Sequence, residues 1–288
     1  MLELLLEPLG YDYMVKAILV SAAVGGVCAF LSGYLMLKGW SLIGDALSHS
    51  VVPGVAAAYA LSIPYALGAF ISGFLAAVSI LFIKSFTRLK EDAIIGFIFT
   101  TFLALGLFII SLNPTSIRIN AIIFGNILGI ADSDLHQVMI IAGVSLLVLL
   151  AIWKDLLLVF FDETQARAVG LRPIVYHVVF FTLLSASIVA ALQTVGAILV
   201  IAMVVTPGAT AYLLTDRFNR LVGISVALGV TSAALGSYLS YFINGATGGV
   251  IVCLETFFFT LAFLFSPKYG LVRQWRLARA HSSREALR

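Results

Sequence analysis

An aspartate and a histidine stand four residues apart in the segment SLIGDALSHSVVPG, within a chain that is otherwise strongly apolar. Residues at i and i+4 share one face of a helix, so Asp45 and His49 are expected to point into the same space. The pair is either a hydrogen bond within the helix that satisfies two buried polar groups or a functional site. Ionisable groups are costly inside membrane helices and usually functional there, which favours the second interpretation.

The chemistry that suits this pair is metal binding. A carboxylate oxygen and an imidazole together fit divalent cations such as Mn²⁺, Fe²⁺ and Zn²⁺. One pair supplies too few ligands, but two copies around a two-fold axis present two aspartates and two histidines. The pair therefore predicts a dimer with a shared, open metal site. Gly44 and Pro53-Gly54 bracket the pair and predict a helix that is loosened on both sides.

The composition shows what kind of element must hold these two residues. Of the 288 residues, 61% are hydrophobic and 11% are charged, whereas about a quarter of the residues of a soluble domain are charged. A span needs about 20 helical residues, so the uncharged runs predict an all-α polytopic membrane protein of about eight to nine helices. The candidate spans are 14–37, 40–62, 64–85, 92–112, 134–153, 173–192, 195–214, 219–243 and 248–266.

The basic residues predict the orientation of these spans. Alternating nine spans places 15 of the 17 Lys and Arg residues on one side and only Lys16 and Arg118 on the other. Such an excess is typical of the cytoplasmic side. The N-terminus is thus predicted outside, residues 1–270 form one transmembrane domain, and a basic cytoplasmic tail covers 271–288. Trp40 and Trp153 are predicted as interfacial aromatic residues near cytoplasmic ends.

Two further polar or helix-breaking positions fall inside predicted spans. Pro207 should kink its span, and the small residues around it indicate packing or a pore lining equally well. Glu255 either becomes protonated or pairs across a helix, and it is a possible pathway residue. Cys28 and Cys253 are interpreted as apolar packing residues. The remaining histidines are predicted to be interfacial or solvated: His136, His177 and His281.

Two connections are longer than a turn. The outer one, about 113–133, contains an apolar stretch suited to a re-entrant or surface helix. The inner one, about 154–172, contains DETQARAVGL, in which Asp162 and Glu163 suit a helix N-terminus and Gly170 a helix end. A short surface helix through Ala166 is predicted there, where a soluble partner could push on the membrane helices.

The sequence carries no HExxH, Walker A or Ser/His/Asp arrangement. The chain is therefore not expected to be an enzyme or to hydrolyse ATP by itself. No permanently bound cofactor and no nucleic-acid partner are predicted.

Several segments together resemble the permease subunit of bacterial metal-type ABC importers for manganese, zinc and ferrous iron, and most nearly the manganese/iron permeases of the chelated-iron type. The resemblance runs from about residue 4 to 270. The segments that carry it are SLIGDALSHSVVPGVA, RLKEDAIIGFIFTTFLALGL, IIFGNILGI, FDETQARAVGL, TVGAILVIAMVVTPGATAYLLTDRF and TFFFTLAFLFSPKYG.

The resemblance implies a vitamin-B12-importer-like permease fold in the bacterial inner membrane. It implies a second permease copy or a sister permease, a periplasmic metal-binding protein and a cytoplasmic ABC ATPase dimer. It places the transmembrane metal ligands at Asp45 and His49, and the segment that couples to the ATPase at Glu163 to Gly170. Because Ala166 follows Glu163 at an altered spacing, only the coupling helix as a whole is transferred, and Glu255 is not transferred at all.

The expected cargo is Mn²⁺ or Fe²⁺, with Zn²⁺ as an alternative in the same family. A second alternative keeps the fold but carries a siderophore or cobalamin chelate, which needs a wide channel without metal ligands. A third is a self-sufficient channel or an intramembrane metalloenzyme. The predicted coupling helix and the missing catalytic motif argue against that third alternative.

Overall fold

The computed structural model describes residues 6–112, 132–266 and 270, and in these residues all regular secondary structure is helical. A short 3₁₀ helix, Glu7–Gly10, precedes the α-helices. The α-helices in chain order are α1 (Asp12–Lys38), α2 (Ser41–Ser50), α3 (Val52–Ala60), α4 (Tyr65–Phe86), α5 (Glu91–Leu112), α6 (Asp132–Phe161), α7 (Glu163–Ala168), α8 (Pro173–Val195), α9 (Ala197–Leu214), α10 (Phe218–Ile243) and α11 (Thr247–Phe265).

The predicted all-α membrane architecture is confirmed. In the described part of the chain, seven helices are long and apolar enough to cross a membrane: α1, α4, α5, α6, α8, α10 and α11. The other two predicted spans are also helical but differ from a simple span. The span predicted at 40–62 is split into α2 and α3, and α9 contains a shorter apolar helix, Leu199–Leu214.

Helix α6 is longer than predicted. The span was expected to end at residue 153, but the helix continues to Phe161. The charged pair Lys154 and Asp155 does not end it, because Lys154 is exposed and the carboxylate of Asp155 accepts a 3.0 Å hydrogen bond from the hydroxyl of Tyr176. Apolar residues then continue the buried face of the helix, so only a short connection separates α6 from α8.

Two predicted segments lie outside the described residues. The apolar outer segment at 113–133 falls there except for its last two positions, and the basic tail at 271–288 falls there completely.

The helix ends that the predicted alternation assigns to one side do lie together. At the predicted cytoplasmic end, Lys84 Nζ lies 2.5 Å from Glu91 Oε1 and so joins α4 to α5. At the opposite end, Lys16 Nζ lies 2.7 Å from Asp132 Oδ1 and joins α1 to α6. These contacts support the order of the spans.

The crossing of α3 and α4 is close because both helices have glycine there. A Cβ added to Gly54 would lie 2.0 Å from the carbonyl oxygen of Gly68, and one added to Gly68 would lie 2.3 Å from the carbonyl oxygen of Gly54. Small residues allow this backbone contact in membrane helices. The crossing holds α3 against α4 immediately beyond the break that separates α3 from α2.

Candidate metal site

The structure places Asp45 and His49 on one face of α2, as the spacing predicts. The Nε2 atom of His49 lies 3.4 Å from Oδ1 of Asp45. The side chain of Asp45 is 41% exposed and that of His49 is 29% exposed. Both donor groups are therefore close together and partly exposed, so that a ligand can reach them.

The helix that carries the pair ends at Ser50 because of Pro53. Proline has no N–H, so the carbonyl of His49 cannot receive the usual i+4 hydrogen bond, and the proline ring crowds the same carbonyl. The His49 carbonyl instead accepts from the N–H of Val51, and the neighbouring carbonyl of Ser50 accepts a 2.6 Å hydrogen bond from the hydroxyl of Ser72 on α4. The predicted loosening after the pair is thus confirmed as a break between α2 and α3.

The predicted loosening at Gly44 is wrong, since α2 is continuous through that residue. Gly44 is instead a packing position, where an added Cβ would lie 3.2 Å from Cγ1 of Val204 on α9. One glycine lowers helix stability by only about 1 kcal/mol, which close packing can offset. Because Gly44 has no side chain, α2 and α9 can pack closely at this position.

The ring of His49 packs edge-on against Phe99 of α5, with 5.3 Å between the ring centroids. Helix α2 therefore has α5 on the histidine side, α9 on the Gly44 side and α4 at its end. This packing orients the imidazole while Nε2 stays beside the carboxylate of Asp45.

A second pair with the same spacing shows what distinguishes this site. Asp132 and His136 are also an aspartate and a histidine at i and i+4, at the start of α6. There the carboxylate of Asp132 is engaged by Lys16 at 2.7 Å and is 73% exposed. The Nδ1 atom of His136 lies 2.5 Å from the carbonyl oxygen of Asp132. That pair is a solvated helix terminus, whereas Asp45 and His49 lie on a helix that packs against α5 and α9 and are partly buried.

The predicted pathway residue Glu255 lies on α11 and contacts α10. Glu255 is buried, at 3% exposure, and its Oε1 lies 3.4 Å from the hydroxyl of Ser232 on α10. Its Oε2 atom has no hydrogen-bond partner among the described residues. In the same part of the chain, no group of three or more His, Cys, Asp or Glu residues could hold a metal ion. Each subunit therefore offers two donors at Asp45 and His49.

Pro207 lies inside α9, which continues through it as a helix. The hydroxyl of Ser32 on α1 donates a 3.1 Å hydrogen bond to the carbonyl of Val205 and accepts a 3.0 Å hydrogen bond from the N–H of Gly208. A side chain of α1 thus satisfies the backbone on both sides of the proline. These contacts favour the packing interpretation of this segment.

The predicted surface helix between the spans is α7. Its N-cap is Asp162, whose Oδ1 accepts hydrogen bonds from the N–H groups of Thr164 at 2.8 Å and Gln165 at 3.0 Å. Ala166 is fully buried, which anchors the helix on the bundle. Gly170 follows the helix end with φ +87°, a left-handed conformation that glycine adopts without strain.

The surroundings predicted for His177 and Trp40 differ from those in the structure. His177 was expected at an interface or in solvent, but it is 6% exposed and its ring stacks on Phe160 at 5.2 Å. Trp40 was expected in an interfacial belt, but it is 3% exposed and its indole N–H donates to Glu91. The only sequence signal for Trp40 was its position directly before the helix with Asp45 and His49.

The fold is a multi-pass helical bundle with a donor pair on a broken helix and a short anchored helix between two long spans. Together these features define a membrane permease subunit. The chain belongs to the ABC 3 transport family, whose model matches residues 10–266. The resemblance seen in the sequence is thereby confirmed.

Relatives support this assignment over nearly the whole chain. The chain is 70% identical over 272 residues to a probable iron transport system membrane protein of Haemophilus influenzae, covering 94% of this chain and 96% of the relative. It is 52% identical to the manganese transport system membrane protein MntB of Synechocystis, covering 94% and 89%. A solved structure, PsaBC from Streptococcus pneumoniae in complex with Fab, matches with a TM-score of 0.83 at 35% identity, covering 95% and 99%.

Proposed function

We propose that this chain is the membrane-spanning subunit of an ATP-driven importer that moves Fe²⁺ or Mn²⁺ across the bacterial inner membrane. The observation that carries the proposal is the pairing of Asp45 with His49 at 3.4 Å on a short, separate helix. A carboxylate and an imidazole on a membrane helix suit a divalent cation. The family and the relatives named for iron and manganese support the class of cargo.

A second permease subunit completes the site in this proposal. Two copies, or one copy with a sister permease, bring two such pairs together on a shared axis and supply four protein ligands. Water molecules complete the coordination shell and keep the metal exchangeable, as a transporter needs. The partial exposure of both donors on one subunit is consistent with such a shared site.

The energy comes from a separate cytoplasmic ATPase dimer, which docks on α7. Ala166 anchors this helix while Thr164, Gln165 and Ala168 remain exposed for a partner. Asp162, Glu163 and Gly170 set the two ends of the docking helix. A periplasmic metal-binding protein delivers the cargo to the opposite side. The excess of Lys and Arg at the α7 side supports a cytoplasmic location for it, with the N-terminus outside.

Import of a metal chelate is the competing function within this fold. A chelate travels with its own ligands, so it requires space and no donors from the protein. The Asp45 and His49 pair favours the free ion, because an unneeded carboxylate would only add a cost of insertion. Zinc remains chemically compatible with the pair. Glu255 and Pro207 stay predictions as pathway residues.

Competitive uptake of radiolabelled manganese, iron and zinc tests the proposal. Cells that carry the chain, lack it, or carry Asp45→Asn or His49→Ala are compared. We expect uptake of iron or manganese to depend on the chain and to be lost in both variants. Asp132→Asn and His136→Ala are the matched controls and should retain uptake. Normal uptake with Asp45→Asn and His49→Ala would refute the site, and uptake of a chelate alone would refute the cargo.

A further inference from the structure

A polar and aromatic cluster surrounds Trp40 at the predicted cytoplasmic end of the bundle. We call it the Trp40 cluster. It joins the ends of α1, α4, α5, α7 and α8, which are far apart in the sequence. Its members are Lys38, Trp40, Lys84, Glu91, Glu163 and His177.

One half of the cluster clamps the indole ring. The Nε1–H of Trp40 donates to Oε2 of Glu91, and the other oxygen of Glu91 lies 2.5 Å from Nζ of Lys84. Nζ of Lys84 also lies 4.9 Å from the centroid of the Trp40 ring, within cation–π range. The same three side chains therefore contact each other pairwise.

Aromatic rings fix the remaining faces of the indole. Phe181 stacks on it at 5.5 Å and Phe160 meets it edge-on at 5.4 Å. The side chain is 3% exposed as a result. Such a buried ring cannot move without displacing its neighbours, because packed interiors have few voids.

The other half of the cluster reaches α7. Oε1 of Glu163 lies 3.8 Å from Nζ of Lys38 and 3.7 Å from Nε2 of His177. Nζ of Lys38 lies 5.9 Å from the centroid of the Trp40 ring, and the ring of His177 lies 6.0 Å from it. An acidic residue of the docking helix thus contacts two residues that themselves border Trp40.

Trp40 leads directly into the helix with the donor pair. It is the residue before α2, and its carbonyl accepts a 3.2 Å hydrogen bond from the N–H of Ile43. The break at Val51 separates α2 from α3, so α2 is a ten-residue body with Trp40 at one end. Asp45 and His49 follow about one and a half and two and a half turns later.

We propose that Trp40 is a positioning residue that transmits displacement of α7 to Asp45 and His49, with Glu91 and Lys84 holding its ring. The proposal rests on the proposed function, because it takes α7 as the docking helix for an ATPase. Movement at Glu163 reaches Trp40 through Lys38 and His177, and Trp40 moves α2 relative to α3. The donors of the two subunits then separate, and the metal is released.

A purely structural role is the competing explanation. Half-exposed ion pairs contribute little stability, so the cluster could serve only to close the end of the bundle. The two explanations differ in what they predict for a change that removes the indole N–H together with one ring of the side chain. Trp40→Phe keeps an aromatic ring and removes the bond to Glu91. A structural role predicts altered stability alone, whereas a positioning role predicts a loss of coupling in a folded protein.

The test measures the movement of α2 and does not depend on metal transport. In the complete transporter, with His49→Cys and Cys253→Ser introduced, the labelling rate of the new thiol by a small methanethiosulfonate reagent is measured with and without ATP. We expect ATP to change this rate. Trp40→Phe should reduce the change by about two- to thirty-fold, the range reported for residues that carry coupling. Glu91→Gln is a second variant for use if Trp40→Phe folds poorly.

Trp153→Phe is the control, because Trp153 is a partly buried tryptophan on α6 that makes none of the contacts described for the Trp40 cluster. It should leave the ATP-dependent change intact. An equal response in Trp40→Phe, Glu91→Gln and the parent protein would overturn the proposal, and so would no response to ATP in the parent. Uptake of labelled metal in the same vesicles, with position 49 restored to histidine, tests the cargo separately. If only metal uptake failed, the conclusion about coupling from the labelling assay would still hold.

Discussion

Substitution of Gly54 should separate α3 from α4 and disturb the support of the helix that carries Asp45 and His49. An added Cβ would lie 2.0 Å from the carbonyl oxygen of Gly68 and 2.5 Å from Cβ of Ser72. Since Cβ contacts under 3.0 Å essentially do not occur, the helices must move apart by about 1 Å. The obstacle is backbone, so a change of side-chain rotamer cannot relieve it.

The expected cost follows from this overlap. Overpacking of a close interior contact costs about 1–3 kcal/mol, and Gly54→Ala should lower the stability of the purified protein by that amount. A loss of 1 kcal/mol lowers the midpoint of thermal unfolding by about 2–4 °C for chains of 150–250 residues. We therefore expect a decrease of roughly 2–12 °C, measured by fluorescence-detected chromatography after heating. Uptake of metal should fall as well, because displacement of α3 would remove the support at the end of α2, the helix that carries Asp45 and His49.

Gly143→Ala on α6 is the matched control, because no atom lies within 4 Å of its added Cβ. Alanine is the better helix former by about 1 kcal/mol, so this variant should be as stable as the parent or more so. Equal stability of Gly54→Ala and Gly143→Ala would show that α3 and α4 do not cross as closely as described.

Three further substitutions test the elements around the site. Ser72→Ala removes the donor to the carbonyl of Ser50 at the helix break and should lower stability by about 1 kcal/mol, while Ser79→Ala on the exposed face of α4 should not, as measured by thermal unfolding. Asp162→Ala removes the N-cap of α7 and should cost about 0.5–2 kcal/mol locally. Co-purification of the ATPase should weaken, with Asp162→Asn as the variant that retains it. Glu255→Gln tests the predicted pathway role: lost uptake would place its carboxylate in the pathway, and unchanged uptake would show that this buried group, 3.4 Å from the Ser232 hydroxyl, has a packing role.

Most of the helical architecture could be predicted because charges and apolar runs are local features. The uncharged stretches predicted where spans lie, and the acids and glycine of DETQARAVGL predicted the short helix. The end of α6 was missed because Lys154 and Asp155 were taken as a boundary. In the folded chain one of them is exposed and the other has a tyrosine partner, so neither carries a penalty that would end the helix.

Of the two loosened positions predicted around the donor pair, the one at Pro53 is confirmed and the one at Gly44 is wrong. Pro53 removes a backbone donor, and no packing can restore it. Gly44 lowers helix propensity only slightly, and the close contact with α9 outweighs this effect. At this helix the proline therefore marks a break and the glycine does not, whereas α9 continues through Pro207.

The donor pair itself could be predicted from spacing alone, because four residues make one turn of α2. The Trp40 cluster could not, since Trp40 and Glu91 are 51 positions apart and belong to different helices. No periodicity within one helix indicates which end of another helix will lie beside it. Only the packing of α2 against α5 brings the indole N–H to a carboxylate.

The central claim is that Asp45 and His49 hold the metal in transit. Equilibrium binding of Mn²⁺ to the purified complex, followed by the electron paramagnetic resonance signal of the free ion, tests it most directly. The account predicts one bound ion for each pair of permease subunits, lost in Asp45→Asn and in His49→Ala and retained in Asp132→Asn and His136→Ala. Undiminished binding in Asp45→Asn and His49→Ala would contradict it.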